Sequence, residues 1–337
     1  MTGGMTLMLW CALFAAMSAA GTWLARGYAL RRSLLDQPGD RRSHRIATPR
    51  GGGIAIAIAA LVAIVALAVR QPLEIVLLAC AAFGLVLVAG IGWIDDHRPL
   101  SPWSRLAIHA LAAGWLCAGL YLSGRSVPVC AVAGIAALVL VNVWNFMDGI
   151  DGLAATQGVV VLAALGIAGG AGLPVHLGLA LSAAVLGFLP FNAPRARIFM
   201  GDVGSGALGY LVALVLGVWM GRRPAAEWWV ALLPLGAFLL DSGLTLASRM
   251  LRGERWWLPH VEHAYQRWSR RSGSHMRPTL GYLGWTLLGC AGCLWLAGKG
   301  DRAIAMAVTI WMMAGSVCWV WLRRQPAAAA VAVKVRS

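Results

Sequence analysis

Five aspartates stand where apolar runs begin or end. Asp95 and Asp96 close one run in Gly-Trp-Ile-Asp-Asp-His-Arg-Pro, and Asp148 and Asp151 close another in Asn142-Val-Trp-Asn-Phe-Met-Asp-Gly-Ile-Asp-Gly-Leu-Ala154. Asp202 opens a third in Phe199-Met-Gly-Asp-Val-Gly-Ser205. Ionised groups held away from water cost several kcal/mol each unless a metal, a cation or a donor network compensates. Adjacent carboxylates at a helix C-terminus also oppose the macrodipole and each other, so packing gives no reason for Asp95 and Asp96. Carboxylates in this arrangement can hold Mg²⁺ or accept a proton. Around Asp148 and Asp151, the glycines together with Asn142 and Asn145 suggest a shaped polar turn. Gly201 and Gly204 free the backbone at Asp202, and the helix start that follows favours an anion.

Basic groups supply the complementary chemistry. The segment from Asp36 to Gly53 holds four arginines, His44 and the run Gly51-Gly-Gly53. Glycine runs let N–H groups converge on an oxyanion, and arginine adds bidentate phosphate contacts; a positively charged loop with a flexible hinge is the plainer reading. Arg41 and Arg42 suit that plainer reading, whereas His44 and Arg50, closer to the glycines, are candidate site residues. Further on, His260-Val-Glu-His263 suggests zinc but is not H-E-x-x-H. Beside Arg267, Arg270 and Arg271, these histidines are better suited to binding phosphate. Asp241, inside an apolar run, can pair with an arginine, form a structural hydrogen bond or contact the site. Gly204-Ser-Gly-Ala-Leu-Gly209 matches G-x-G-x-x-G formally, yet without a preceding strand it reads as small residues for close helix packing. Cys290 and Cys293 form a C-x-x-C inside an apolar run, where packing is the expected role.

The elements that must position these groups follow from composition. Of 337 residues, 60% are hydrophobic and 12% charged, which excludes a soluble domain and implies an all-α polytopic membrane protein. Eleven spans are expected, at 5–25, 54–69, 73–94, 106–123, 128–144, 153–170, 174–191, 205–221, 228–247, 279–297 and 303–322. Lys and Arg divide 22 to 6 between alternate connections, which makes the richer side cytoplasmic and places the N-terminus outside and the C-terminus inside. All five aspartates, with His260 and His263, then lie on the cytoplasmic face. The net charge of +15 is explained by this rule, not by nucleic acid, since no aromatic-interleaved basic groove is present. Residues 1–325 form one transmembrane catalytic domain in this reading, and 326–337 a flexible cytoplasmic tail.

From Asp36 to Arg267, five ordered motifs resemble the polyprenyl-phosphate N-acetylhexosamine-1-phosphate transferases, glycosyltransferase family 4. The resemblance implies a bundle of ten or eleven helices with a cytoplasmic cleft in the bacterial inner membrane. It further implies a UDP-N-acetylhexosamine donor, undecaprenyl phosphate as acceptor, Mg²⁺ (or Mn²⁺) as cofactor and, in some members, homodimers. Residue by residue, Asp202 is similar to the principal metal ligand, with Asp95 and Asp96 as the pair near metal and lipid phosphate. Asn142, Asn145 and Asp148 match polar active-site groups, Asp151 part of a uracil pocket, Phe199 the aromatic stacked on uracil, and Asn192 the upstream asparagine. His44, Arg50 and Gly51 to Gly53 match the N-terminal loop. His260, His263 and Arg267 match the histidine-rich loop, His263 in a catalytic role. Two departures stand out. The family's lysine after the aspartate pair is here Arg98 or Arg105, and Tyr265 and Gln266 replace two of the clustered histidines, as in the O-antigen initiating subgroup. A transporter is the rival reading, and it requires acids near mid-membrane and a repeat between halves.

Overall fold

Residues 2–37, 46–255, 257–258, 260–296 and 298–325 are described by a computed structural model. His44, Arg41 and Arg42, and the tail 326–337, lie outside the described residues. Twelve helices account for the architecture: α1 Thr2–Arg31, α2 Ile54–Arg70, α3 Ile75–His97, α4 Pro102–Leu122, α5 Val127–Met147, α6 Leu153–Ala168, α7 Leu173–Asn192, α8 Gly201–Met220, α9 Leu232–Leu251, α10 Ala264–Ser272, α11 Met276–Leu296 and α12 Asp301–Arg324. Among the described residues, nine helical spans are long and apolar enough to cross a membrane, and α2 and α6 are shorter apolar helices. The protein is thus an all-α multi-pass membrane protein, and each expected span falls on a helix.

Local chemistry marks the start of several helices. Pro102 stands at the beginning of α4, and the Ser101 side chain accepts from Trp103 N–H. Pro128 and Pro174 take the same early position in α5 and α7, where proline's missing N–H costs nothing. Several boundaries differ from expectation: α1 runs on to Arg31, and α4 and α8 each begin about four residues early, at Pro102 and Gly201. The ninth span runs about four residues later than predicted, because a 3-10 segment at Ala225–Ala231 precedes α9. The amphipathic α10, with basic residues in its last turn, interrupts what the sequence suggested was a long loop. A two-residue antiparallel ribbon, β1 Leu35–Asp36 with β2 Thr48–Pro49, pairs Leu35 with Pro49 and Asp36 with Thr48.

The central element is α8, in which every residue from Val203 to Met220 is buried. It packs against α2, α3, α5, α6 and α7. Small residues permit this closeness: a Cβ on Gly204 would strike Gly53 Cα, and one on Gly209 would strike the Leu140 carbonyl. The formal G-x-G-x-x-G is therefore a packing stripe. At the periphery, α12 leaves Met306, Ile310, Met313 and Val317 exposed, as a lipid-facing helix does. All seven cysteines are free, and Cys290 and Cys293 are buried.

Candidate active site

Asp96 illustrates how the bundle builds the site. The residue preceding α8, Met200, provides no side-chain cap. Asp96, at the end of α3, fills that role across the bundle: one carboxylate oxygen accepts Asp202 N–H at 3.1 Å and the other Val203 N–H at 3.2 Å. These are the positions a local N-cap side chain would serve, and the helix dipole favours a negative charge there. Asp96 is only 3% exposed. Gly201 makes the contact feasible, with φ of +74° and no room for a Cβ beside the Asp96 carboxylate. Gly92 likewise lets α3 approach the Asp202 backbone closely. In this structure the oxygens of Asp96, expected as one of the catalytic pair, are engaged by backbone N–H groups.

Asp95 and Asp202 face a cation. Arg105, on α4, donates through the same Nη1 to Asp95 at 2.8 Å and to Asp202 at 2.6 Å, while Leu100 N–H donates to the other Asp95 oxygen at 2.6 Å. Of the two arginines the sequence offered, Arg105 is the one at the acids; Arg98 is exposed. Asp148 follows the last turn of α5, half-buried. Burial, with the neighbouring charges of Asp202, Asp96 and Asp151, pushes its carboxyl up to about 8. Asn145 donates to Ser205 Oγ at 3.2 Å, tying α5 to the first turn of α8. Asn142 donates to the Leu138 carbonyl of its own helix at 2.8 Å.

Asp151 pairs with His275, with Nδ1 3.1 Å from Oδ2, and Thr279 Oγ donates to the Asp151 carbonyl at 3.0 Å. Both partners come from the segment entering α11, and no motif pointed to them. Asn192, expected at the substrate, acts as a brace in this structure. It is 2% exposed, accepts Gly152 N–H at 3.0 Å and donates to the Ile198 carbonyl at 3.2 Å, joining the 148–152 turn to the 193–200 loop. The glycine run is corrected as well. Gly52 and Gly53 donate to the Phe199 and Met200 carbonyls at 2.9 and 2.8 Å, so these N–H groups do not converge on an oxyanion. Phe199 is thereby held, half-buried, beside the run, and its own N–H donates to the Pro49 carbonyl at 2.8 Å. Arg50 donates from Nη2 to the Asp96 carbonyl, which brings the N-terminal loop to the acids.

The histidine loop follows the same capping logic. Asp241, on α9, accepts Ala264 N–H at 2.8 Å, Tyr265 N–H at 3.2 Å and Tyr282 O–H at 2.7 Å. Among the roles open to it, a structural hydrogen-bond network is the one observed. His263, expected in a catalytic role, is packed inside this loop. It precedes α10, is 3% exposed, lies between Phe146 and Tyr265 with centroids at 6.2 and 5.7 Å, and sets Nδ1 3.7 Å from Asp241. Tyr265, where the family pattern has histidine, donates to the Phe146 carbonyl at 2.9 Å and so fixes α10 against α5. His260 lies 4.9 Å from His263, centroid to centroid; burial and the charges of His263 and Arg249 hold it down at about 4, so it is neutral at physiological pH. Arg267 turns towards α12, with Nη2 3.9 Å from Glu262 and Nη1 donating to the Arg323 carbonyl at 3.3 Å.

The donor set fits a hard cation. Asp95, Asp148 and Asp202 offer only carboxylate oxygens, and Mg²⁺ binds through one or two carboxylates, with water and phosphate oxygens completing its shell. Asp95 and Asp202 already share a single cationic nitrogen. Among the described residues no three His, Cys, Asp or Glu form a ready cage, so an ion here would draw part of its shell from substrate. Asp202 and Asp95 are the residues that would hold it.

With this geometry in hand, comparison with known proteins gives a consistent answer. The family model described as glycosyl transferase family 4 matches residues 78–220, a stretch that contains all five aspartates. The chain is 29% identical over 277 residues to a protein of Bacillus subtilis (strain 168) described as a probable undecaprenyl-phosphate N-acetylglucosaminyl 1-phosphate transferase, covering 77% of this chain and 76% of that one. It is 28% identical over 348 residues to the decaprenyl-phosphate N-acetylglucosaminephosphotransferase of Mycolicibacterium smegmatis, covering 89% and 86%. A phospho-N-acetylmuramoyl-pentapeptide-transferase of Moorella thermoacetica is 36% identical over 203 residues, covering 52% and 63%. Ordered acidic motifs, a helical bundle that gathers them at one end, and these similarities agree: over residues 78–220 the chain is similar to glycosyl transferase family 4.

Proposed function

We propose that the protein is a polyprenyl-phosphate sugar-1-phosphate transferase. It moves an N-acetylhexosamine-1-phosphate from a UDP-sugar to undecaprenyl phosphate, releasing UMP and initiating O-antigen or another cell-envelope glycan. The observation that carries this reading is the gathering of Asp95, Asp148, Asp151 and Asp202 around Arg105 and His275 at one end of membrane-crossing helices. An interfacial site of this kind lets a membrane-dissolved acceptor meet a water-soluble donor. The same reading puts the acids on the cytoplasmic side of the bacterial inner membrane, in line with the Lys and Arg bias. A transporter would want its acids at mid-membrane; the one acid deep in a span, Asp241, is consumed by the N-terminus of α10.

In the reaction, an oxygen of the lipid phosphate attacks the β-phosphorus of the donor, and the bond from that phosphorus to the bridging oxygen breaks, leaving UMP. A phosphate oxyanion needs little activation at neutral pH, which favours direct attack over a covalent aspartyl intermediate. Bound Mg²⁺ would neutralise the diphosphate and stabilise developing charge. Arg105 bridges Asp95 and Asp202 through one nitrogen and orients them, and its charge is placed for phosphate oxygens. Asp151, set by His275, faces the uracil side, with Phe199 as the stacking surface. Asp202→Ala in purified protein should abolish Mg²⁺-dependent UMP release from UDP-N-acetylglucosamine and undecaprenyl phosphate. Undiminished release would remove the metal assignment, and no release from wild type with any UDP-N-acetylhexosamine would remove the reading itself.

A further inference from the structure

A cleft lies at the end of the bundle opposite the acids. Its volume is about 550 Å³, and Glu74, Ser123, Arg125, Ser126, Arg222 and Arg223 line it. It sits where α4 and α8 end and α5 begins. The six Lys and Arg expected on that side are Arg70, Arg125, Arg222, Arg223, Lys299 and Arg302, so half of them converge on one concavity.

Arginines at helix C-termini have an ordinary explanation, since they satisfy the last carbonyls. That explanation applies in part: Arg125 donates to the Ser123 carbonyl at 2.9 Å, Arg222 to the Ala171 carbonyl at 2.7 Å, and Arg223 to the Ala168 carbonyl. Charge is where it falls short. Arg125 meets Glu74 at 2.6 Å and Arg223 meets Glu227 at 3.3 Å, whereas Arg222 meets no carboxylate among the described residues. Each guanidinium carries five donors, more than these contacts use. A second feature points the same way. Ser126 stands at the N-cap of α5, a 21-residue helix, but makes no side-chain cap; Pro128 has no N–H and Cys130 N–H bonds the Ser126 carbonyl, so the N–H groups of Val127 and Val129 are the first-turn donors left for an anion entering the cleft.

We propose that this cleft is a phosphate-binding site distinct from the acidic centre, formed by Arg222, Arg125, Arg223 and the N-terminus of α5. The planar fork of arginine matches phosphate oxygens, and a helix N-terminus adds N–H donors on the opposite flank. The phosphate can come from an anionic lipid headgroup, favoured by the position at the ends of membrane-crossing helices, or from free phosphate in solution.

The test uses the full-length protein in detergent and in nanodiscs. Inorganic phosphate is titrated calorimetrically, and retention of phosphatidylglycerol against phosphatidylcholine is measured by native mass spectrometry. Arg222→Gln should weaken binding of the responding probe by about tenfold, with UMP release at the acidic end unchanged, because Arg222 is exposed and remote from it. Ser126→Asp should block the anion while capping α5, so binding falls with no loss of thermal stability. Response to inorganic phosphate identifies a free-phosphate site, and response to phosphatidylglycerol alone identifies a headgroup site. Equal retention of the two lipids together with no phosphate heat, or binding indifferent to both substitutions, overturns the proposal.

Discussion

Replacing Asp96 with Asn separates a positioning role from a chemical one. The side chain keeps its shape and one acceptor oxygen, but its NH₂ now confronts a backbone N–H of α8 where the second carboxylate oxygen accepted at 3.1 or 3.2 Å. One charge-assisted bond is lost, worth about 1.5–3 kcal/mol, along with a charge–dipole contribution of about 0.3–1 kcal/mol. At a site 3% exposed, water does not repair the loss. The expected cost is therefore roughly 2–4 kcal/mol, seen as a fall of several degrees in apparent melting temperature. A general base removed from the reaction would instead cost about 10²–10⁴ in kcat with little effect on stability. Gly201→Ala approaches the same contact from the other side, since φ of +74° and the proximity of the Asp96 carboxylate leave no place for a methyl group. If Asp96 positions α8, both variants lose stability and activity together, and the double variant costs less than the sum. A stable, inactive Asp96→Asn beside an active Gly201→Ala would refute the capping argument.

Two further outcomes follow from the neighbouring groups. The Asp148 carboxyl lies at about 8 in the folded protein, against about 3.9 in an unfolded chain. Between these values the folded state holds a proton the unfolded state has released, so stability falls as pH rises through that window. In EDTA, the apparent melting temperature should decline from about pH 4 to about pH 8 in wild type and decline less in Asp148→Asn; parallel slopes would show that Asp148 does not titrate this way. His275→Ala removes the partner of Asp151 and should raise KM for the UDP-sugar roughly 5- to 30-fold, the equivalent of about 1–2 kcal/mol, with kcat nearly preserved. A fall in kcat at constant KM would move this pair from donor binding into the chemistry.

Much of the bundle was legible because lipid imposes a simple rule on sequence: apolar runs of sufficient length become helices, and Lys and Arg mark their ends. The five aspartates were conspicuous for the same reason, being costly in that setting. Their partners were less so. Arg105 was one of two arginines that the resemblance offered, and its three-dimensional proximity alone sets it, rather than Arg98, between Asp95 and Asp202. His275 sits in Ser-Gly-Ser-His-Met-Arg, 124 residues from Asp151, with no spacing to betray the pairing. Gly51 to Gly53 show the converse failure. Glycines that cradle an anion and glycines that allow backbone to meet backbone look alike in sequence, and the hydrogen bonds to Phe199 and Met200 decide for the second.

The acids divide into two groups by what holds their oxygens. Asp96 and Asp241 each lend a carboxylate from one helix to the first N–H groups of another, α8 and α10 respectively. Neither recipient helix is capped at that place by its own preceding side chain alone: Met200 has no acceptor suited to it, and the ring of His263 offers a single nitrogen beside Asp241. Drawing either carboxylate towards a substrate would leave helix donors unpaired in a buried setting, at a cost of about 1–3 kcal/mol per group. Asp95, Asp202 and Asp151 are held chiefly by side chains, Arg105 and His275, with Leu100 N–H also on Asp95. Those side chains can turn to a phosphate or a base without unravelling secondary structure. Exchange of partners is therefore possible at Asp95, Asp202 and Asp151 and penalised at Asp96 and Asp241, so chemistry that requires carboxylates to change partners falls to the first group.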